Sequence, residues 1–215
     1  MIKSKFISKL AMKRTTVEAI AKKLIKNPKL LRDILNGFVS DNANVKFKSA
    51  KVLVLIGKEK PELLYPYFDF FMKHLDNKNN ILKWNAMDII AYLTPVDSEK
   101  KFDKSFNKYY SMLYEGSLVT AGHIVAGSAV IVRAKPYLEE KITTEILQME
   151  KFPLPTEECR NILKGHAIKT FDTYFDNIKN RDEVIDFVRQ ELNNTRNATR
   201  KKAEKFMAKW SESKK

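Results

Sequence analysis

The chain has 215 residues, of which 44% are hydrophobic and 31% charged, a composition typical of globular proteins and unlike that of disordered ones. Its single cysteine, Cys159, excludes an intramolecular disulfide and a cysteine-based zinc cluster, and we interpret it as a small buried hydrophobic residue. The net charge of +14 favours acidic partners such as nucleic acid, anionic lipid or an acidic protein surface. Because lysine is spread along the whole chain, solubility alone is an equally good explanation of this charge.

No stretch approaches the roughly 18 uninterrupted apolar residues that a membrane-spanning helix requires. The basic, amphipathic segment 1–14 lacks the apolar region of a signal peptide, and we interpret it as a helix that begins the fold. We therefore expect a cytoplasmic protein without a membrane span. The longest weakly charged run, Gly116 to Val132, is predicted to form a central buried helix.

The apolar residues between Thr16 and Val39 predict two short helices that separate near Asn27-Pro28. Five alanines then recur about 36 to 41 residues apart, within the span of a repeated helix pair. Apolar residues follow most of them at three, four and seven positions, which is one face of an α-helix. A small residue at the centre of this face would let a neighbouring helix approach closely. The five are Ala50, Ala86, Ala126, Ala167 and Ala203.

Between these first helices, further segments have apolar stripes of their own and are predicted to form second helices. They are Pro61 to Leu75, Lys101 to Tyr114, Pro136 to Met149 and Arg181 to Leu192. Asp97-Ser98 is predicted to cap one of them. The sequence thus predicts a single all-α domain over 1–215. It comprises a partial repeat 1–40, repeats 41–77, 78–115, 116–154 and 155–193, and a capping helix 194–212.

The segment Ser49-Ala50-Lys-Val-Leu-Val-Leu-Ile-Gly57, followed by Lys60-Pro61-Glu-Leu-Leu64, resembles a HEAT unit. The resemblance to HEAT or armadillo-like repeats extends over residues 16–210. It implies a right-handed α-α superhelix, a HEAT-like solenoid, of about four to five helix pairs. It also implies a non-enzymatic binding or scaffold role, since such arrays mostly serve as binding surfaces.

Cationic or potentially cationic residues stand at or beside the position three residues before each alanine. They are Lys48 (next to Phe47), Lys83, His123, Lys164 and Arg200. Stacked repeats would align them in a row that could follow an acidic protein or a phosphate backbone. The alternative is that their aliphatic stems merely cover the border of the core.

Two further basic segments are candidates for the same partner. Lys100, Lys104 and Lys108 are spaced to form a stripe on one second helix, where like charges repel mildly and would attract an anion. The last predicted helix is strongly basic, which suits either an anionic partner or a solubilising end. Its cations are Arg196, Arg200, Lys201, Lys202, Lys205 and Lys209.

Trp84 and Asp88 are similar to the Trp-x-x-x-Asp element of the alkylpurine DNA glycosylases, which are built on HEAT-like repeats. That resemblance implies a DNA-acting enzyme with Asp88 as the catalytic carboxylate and Trp84 as a wall of the lesion cradle. The alternative is that Trp84 packs at the edge of its repeat and Asp88 pairs with a lysine.

No phosphate-binding loop, nucleophile elbow or HExxH element is present, and no two histidines have metal-ligand spacing. We therefore expect no metal, no cofactor and no enzymatic activity apart from the glycosylase alternative. The favoured function is a binding module that recognises an acidic protein surface or nucleic acid. A structural subunit that extends a larger helical assembly is a third possibility.

Overall fold

The computed structural model describes residues 15–210, and within that range the protein contains 11 α-helices, short 3₁₀ turns and no strand. The predicted all-α fold is confirmed, whereas the predicted helix in 1–14 lies outside the described residues. The chain divides into two compact units, Met1–Asp103 and Lys104–Lys215. None of the described helices is long and apolar enough to cross a bilayer.

Five helices and the start of a sixth form the first unit. In this unit α1 and α2 both pack against α3, and α3 and α4 pack against α5. The separation of α1 from α2 at Asn27-Pro28 is as predicted. The helices are α1 (Val17–Lys26), α2 (Leu31–Phe38), α3 (Ala43–Glu59), α4 (Phe68–Lys73), α5 (Asn80–Leu93) and α6 (Lys101–Tyr110).

The second unit contains the end of α6 and five further helices. Its longest helices pack in chain order, α7 against α9 and α9 against α11, while α10 packs against α11. Sequential packing of this kind is compatible with a helical repeat. The five helices are α7 (Leu118–Ala134), α8 (Glu139–Leu147), α9 (Glu157–Asp172), α10 (Arg181–Gln190) and α11 (Asn197–Trp210).

Side-chain caps determine where several helices begin. Asn42, Asn79, Ser117 and Thr156 each accept a hydrogen bond from the first turn of α3, α5, α7 and α9, respectively. Such caps satisfy backbone N–H groups that have no partner within the helix. Asp97 caps α6 by accepting from the backbone nitrogens of Lys101 at 2.8 Å and Phe102 at 3.0 Å, which confirms its predicted role.

The predicted second helices are shorter than the sequence pattern suggested. The segment from Pro61 to Leu75 is two 3₁₀ turns, the short helix α4 and a further 3₁₀ turn. Pro66 lies in the second of these turns, and a proline in a helix interior removes one hydrogen bond and clashes with the preceding turn. The segment from Pro136 to Met149 likewise begins and ends in 3₁₀ turns around α8.

The prediction that an alanine lies at the centre of the buried face of each first helix is correct in four copies and wrong in the third. Ala50, Ala86, Ala167 and Ala203 are fully buried, but Ala126 is exposed and Val125 is buried in its place. The buried positions of α3 all have buried counterparts on α7 when Val125 is aligned with Ala50. The helix predicted over Gly116 to Val132 is present as α7, but it is buried on one face only, because Val119 and Ala126 are exposed.

Candidate functional site

Helices α9 and α11 pack closely at Gly165. A Cβ atom at this position would lie 2.8 Å from the Thr199 hydroxyl oxygen and 3.2 Å from the Lys202 ammonium nitrogen. The Thr199 hydroxyl also donates to the backbone oxygen of Asn161 at 2.7 Å, which holds α11 against α9. The absence of a side chain at Gly165 therefore brings the Lys202 ammonium over the backbone of α9, beside His166.

Two lysines and a histidine gather around this contact, and we call His166, Lys169 and Lys202 the cationic cluster. Within residues 15–210, neither lysine has an ion-pair partner. Burial is the main cause that lowers the pKa of Lys202, and the positive charges of Lys169 and Arg196 lower it further. Partial desolvation and the positive charges of Lys202, Lys169 and Arg196 also lower the pKa of the solvent-accessible His166. The cluster therefore concentrates like charges at an energetic cost.

The carboxylates at the two ends of the α9–α11 contact are already paired. Glu158 accepts from Arg196 at one end. At the other end, Asp172 accepts from the Lys209 ammonium at 2.8 Å and from the Trp210 indole nitrogen at 2.7 Å. The cationic cluster lies between these two neutralised ends and is left with an excess of positive charge.

An apolar groove of about 350 Å³ lies beside the cluster, and we call it the α7–α9 groove. His166 lines the groove and also belongs to the cationic cluster, so the two features are continuous. Val119 is 46% exposed on its rim, and a Cβ atom at Gly122 would meet no atom within 4 Å. The lining residues are Leu118, Val119, Gly122, His123, Ala126, Ile162 and His166.

The predicted row of cations has different local environments in the second unit. His123 lines the α7–α9 groove. Lys164 forms ion pairs with Glu150 at 2.9 Å and with the buried Glu191 at 3.0 Å. Burial lowers the pKa of Lys164, but its hydrogen bonds to the two glutamates outweigh this effect and leave the pKa raised.

Arg200 is also engaged in local structure. Its guanidinium donates to the backbone oxygen of Asn194 at 2.9 Å and to the side chain of Asn197 at 3.3 Å, closing the turn that precedes α11. Lys164 and Arg200 therefore have clear structural roles, and their predicted role in binding remains a prediction.

In the first unit, Lys48 and Lys83 are half-buried on α3 and α5. The predicted helical stripe is wrong at Lys100, which precedes α6 and has a positive φ of 53° in the loop that Asp97 closes. Lys104 and Lys108 do lie on α6 and are exposed. The stripe is thus reduced to two residues because the helix begins one residue later than its spacing requires.

Trp84 and Asp88 lie one turn apart on α5, and both are half-buried. Tyr92 follows one turn later, and burial together with the negative charge of Asp88 raises the pKa of its phenol. The described geometry thus places a carboxylate between two aromatic side chains. Catalysis by Asp88 remains a prediction.

The sequence did not single out Lys169, Val119 or Gly122. Lys202 was recognised only as part of a basic helix, because its proximity to His166 depends on the contact between α9 and α11. Cys159 was interpreted as a small buried hydrophobic residue, and in the structure it is only half-buried. Within the part of the chain that the structure describes, no three histidine, cysteine or carboxylate side chains converge as metal ligands.

No known protein family model matches the chain, and no curated protein matches it. Among solved structures, it is similar to the crystal structure of an engineered protein that was a target of the Northeast Structural Genomics Consortium. The two are 11% identical, the match covers 94% of this chain and 95% of the other, and the TM-score is 0.47. This likeness is too weak to support a functional assignment.

Proposed function

We propose that the protein is a non-enzymatic binding module for an acidic partner, which it contacts through the cationic cluster. The observation that carries this proposal is the pairing pattern around α9. Lys169 and Lys202 have no ion-pair partner within residues 15–210, whereas Glu158 and Asp172 nearby are each paired with another cation.

An anionic ligand would be favoured here for a simple electrostatic reason. The cluster holds like charges together, and negative groups placed over Lys169 and Lys202 would offset their repulsion as well as attract each of them. Since the cluster faces solvent, the attraction should weaken as salt is added. The proposal requires only that the partner be anionic.

The test is a binding titration with two fluorescein-labelled probes, a short polyglutamate peptide and a short single-stranded DNA, followed by fluorescence anisotropy at increasing salt. The double variant Lys169→Glu/Lys202→Glu should weaken binding of at least one probe by about tenfold or more, since two attractions become repulsions. Measurable binding at low salt that falls steeply with salt is the expected result for the wild-type protein.

The matched control is Lys51→Glu/Lys58→Glu on α3, which changes the net charge equally at two exposed lysines of the first unit. Its affinity should fall much less than that of the cluster variant. Equal losses in the two variants, or no binding of either probe at low salt, would contradict the proposal.

A further inference from the structure

We infer that the acidic partner is a protein segment that places an aliphatic side chain in the α7–α9 groove and carboxylates over Lys169 and Lys202. This inference rests on the proposed function and adds the chemical class of the partner. It also adds a second contact region that the cationic cluster alone does not require.

The α7–α9 groove and the cationic cluster are continuous. His166 lines the groove and stands next to Gly165, over which the Lys202 ammonium lies. A single short segment can therefore reach the groove with one side chain and the two lysines with its neighbours. Peptide recognition commonly combines an apolar anchor with flanking charge complementarity.

The α7–α9 groove exposes apolar surface. Val119 is 46% exposed and Ala126 is also exposed, although both lie on a helix whose other face is fully buried. Together with Leu118 and Ile162 they offer a ligand an aliphatic surface. Covering that surface removes apolar area from water, which contributes favourably to association.

The lining of the α7–α9 groove is mainly aliphatic. Single-stranded nucleic acid is usually held by aromatic side chains on which bases stack, and duplex DNA is read by polar side chains that enter a groove. Among the described residues that line the α7–α9 groove, the only rings are the two imidazoles and the remaining residues are aliphatic or glycine. This lining favours an aliphatic anchor over a nucleobase.

The size of the groove fits the same occupant. Its volume of about 350 Å³ is at the lower end of the range of about 300–1,000 Å³ that ligand pockets span. That space suits one or two aliphatic side chains. The rest of the bound segment would lie on the surface, where its carboxylates can face the lysines.

The experiment uses the full chain and three fluorescein-labelled probes. The first is a glutamate-rich peptide with one central leucine, the second has serine in place of the leucine, and the third is a single-stranded DNA of similar charge. The leucine peptide should bind about tenfold more tightly than the serine peptide, as expected when one aliphatic side chain is buried.

Two groove variants locate that gain. Gly122→Leu places a side chain in the open space of the groove, and Val119→Ser removes exposed apolar surface from its rim. Each should reduce the advantage of the leucine peptide over the serine peptide to about twofold or less, because only the anchor contact is removed. Ala208→Leu, at an exposed alanine of α11 outside the groove lining, is the matched control and should keep the full advantage.

The outcomes separate this inference from the proposed function. If the leucine and serine peptides bind equally and Lys169→Glu/Lys202→Glu weakens both, the inference is overturned and the proposed function stands. If DNA binds more tightly than both peptides and is insensitive to Gly122→Leu, the partner is nucleic acid and the inference is again overturned. If none of the three probes binds at low salt, both fail.

Discussion

The two faces of α9 carry the same kinds of side chain in opposite electrostatic situations. On the face that carries Arg160 and Lys164, which we call the inner face, Arg160 donates to the backbone oxygen of Met149 at 2.6 Å and pairs with Glu150. Lys164 on the same face bridges Glu150 and Glu191. On the face that carries Lys169, which we call the outer face, this lysine has no ion-pair partner within the described residues. The comparison shows that, within the described residues, the arginine and lysines of this helix are paired with carboxylates on one face only.

The difference arises from what the neighbouring segments contribute. The turns after α8 and α10 supply Glu150 and Glu191 to the inner face, whereas α11 adds a further cation, Lys202, to the outer face. Stability alone would favour a carboxylate in that place. An uncompensated charge cluster on a solvent-facing surface is a common feature of binding sites, where stability is given up for function.

The largest effect is expected at the inner face. Lys164→Met should lower the free energy of unfolding by about 3 kcal/mol, because it leaves the Glu191 carboxylate, which is 4% exposed, without its cation. Urea unfolding followed by circular dichroism measures the change. Lys169→Met is the matched control on the outer face and should change stability by less than about 0.5 kcal/mol. Equal effects of the two substitutions would remove the distinction between the faces.

Two glycines on α9 and α7 give the next largest contrast. Gly165→Ala should destabilise by about 1–3 kcal/mol, since its Cβ would lie 2.8 Å from the Thr199 hydroxyl and force α11 outward. Gly122→Ala should stabilise by about 0.5–1 kcal/mol, because the groove leaves open space and alanine favours a helix. Thermal unfolding of both variants measures the effect. Changes in melting temperature of the same sign would contradict close packing at Gly165 together with open space at Gly122.

A smaller effect of opposite sign to that at Lys164 is expected at Lys202. Lys202→Met should raise stability by up to about 0.5 kcal/mol because it relieves repulsion from Lys169 and Arg196 while keeping an aliphatic stem. The same variant should bind the polyglutamate probe more weakly. A substitution that stabilises the fold and impairs binding indicates a functional residue. Lys205→Met, at an exposed lysine of α11, should change neither property appreciably.

The smallest expected effect is a loss of stability at acidic pH that arises from His166. The folded protein holds the pKa of His166 below its ordinary value of 6.5, so the unfolded chain binds the proton more readily. Stability should be unaffected above pH 6.5 and should decline as the pH falls below it. The groups facing this imidazole are Lys169 on its own helix, Lys202 on α11, Arg196 just before α11, and His123 across the groove. Arg196 is itself paired with Glu158.

The check is a comparison of wild-type protein and His166→Gln by thermal unfolding between pH 7.5 and 5.5. The wild-type protein should lose slightly more stability over this range than the variant does. An identical pH dependence of the two proteins would show that the surrounding cations have no influence on His166.

The sequence predicted the helical class and most first helices because their apolar faces repeat at helical spacing and polar caps precede them. It failed at Ala126 because this alanine directly follows Val125, the residue that occupies the buried position. The pair Lys60-Pro61 and its counterpart Lys135-Pro136 would have corrected the frame, since they are separated by the same distance as the caps Asn42 and Ser117.

The candidate site was much less predictable. His123 and the basic last helix were recognised, but spacing within one helix does not reveal which cation meets a carboxylate on another. Lys164 and Lys169 are both lysines on the same helix, and the sequence around them does not show which one is paired. They differ because Glu191 contacts one face of α9, whereas Lys202 contacts the other. Helix-to-helix contacts of this kind depend on tertiary packing rather than on local pattern.

The most direct test of the account is the pKa of the His166 imidazole, measured by nuclear magnetic resonance with and without saturating leucine-containing glutamate peptide. Binding should raise this pKa, because carboxylates placed over Lys169 and Lys202 offset the positive charges that lower it in the free protein. A His166 pKa that is unchanged when the peptide is bound would contradict the claim that the cationic cluster receives the acidic partner.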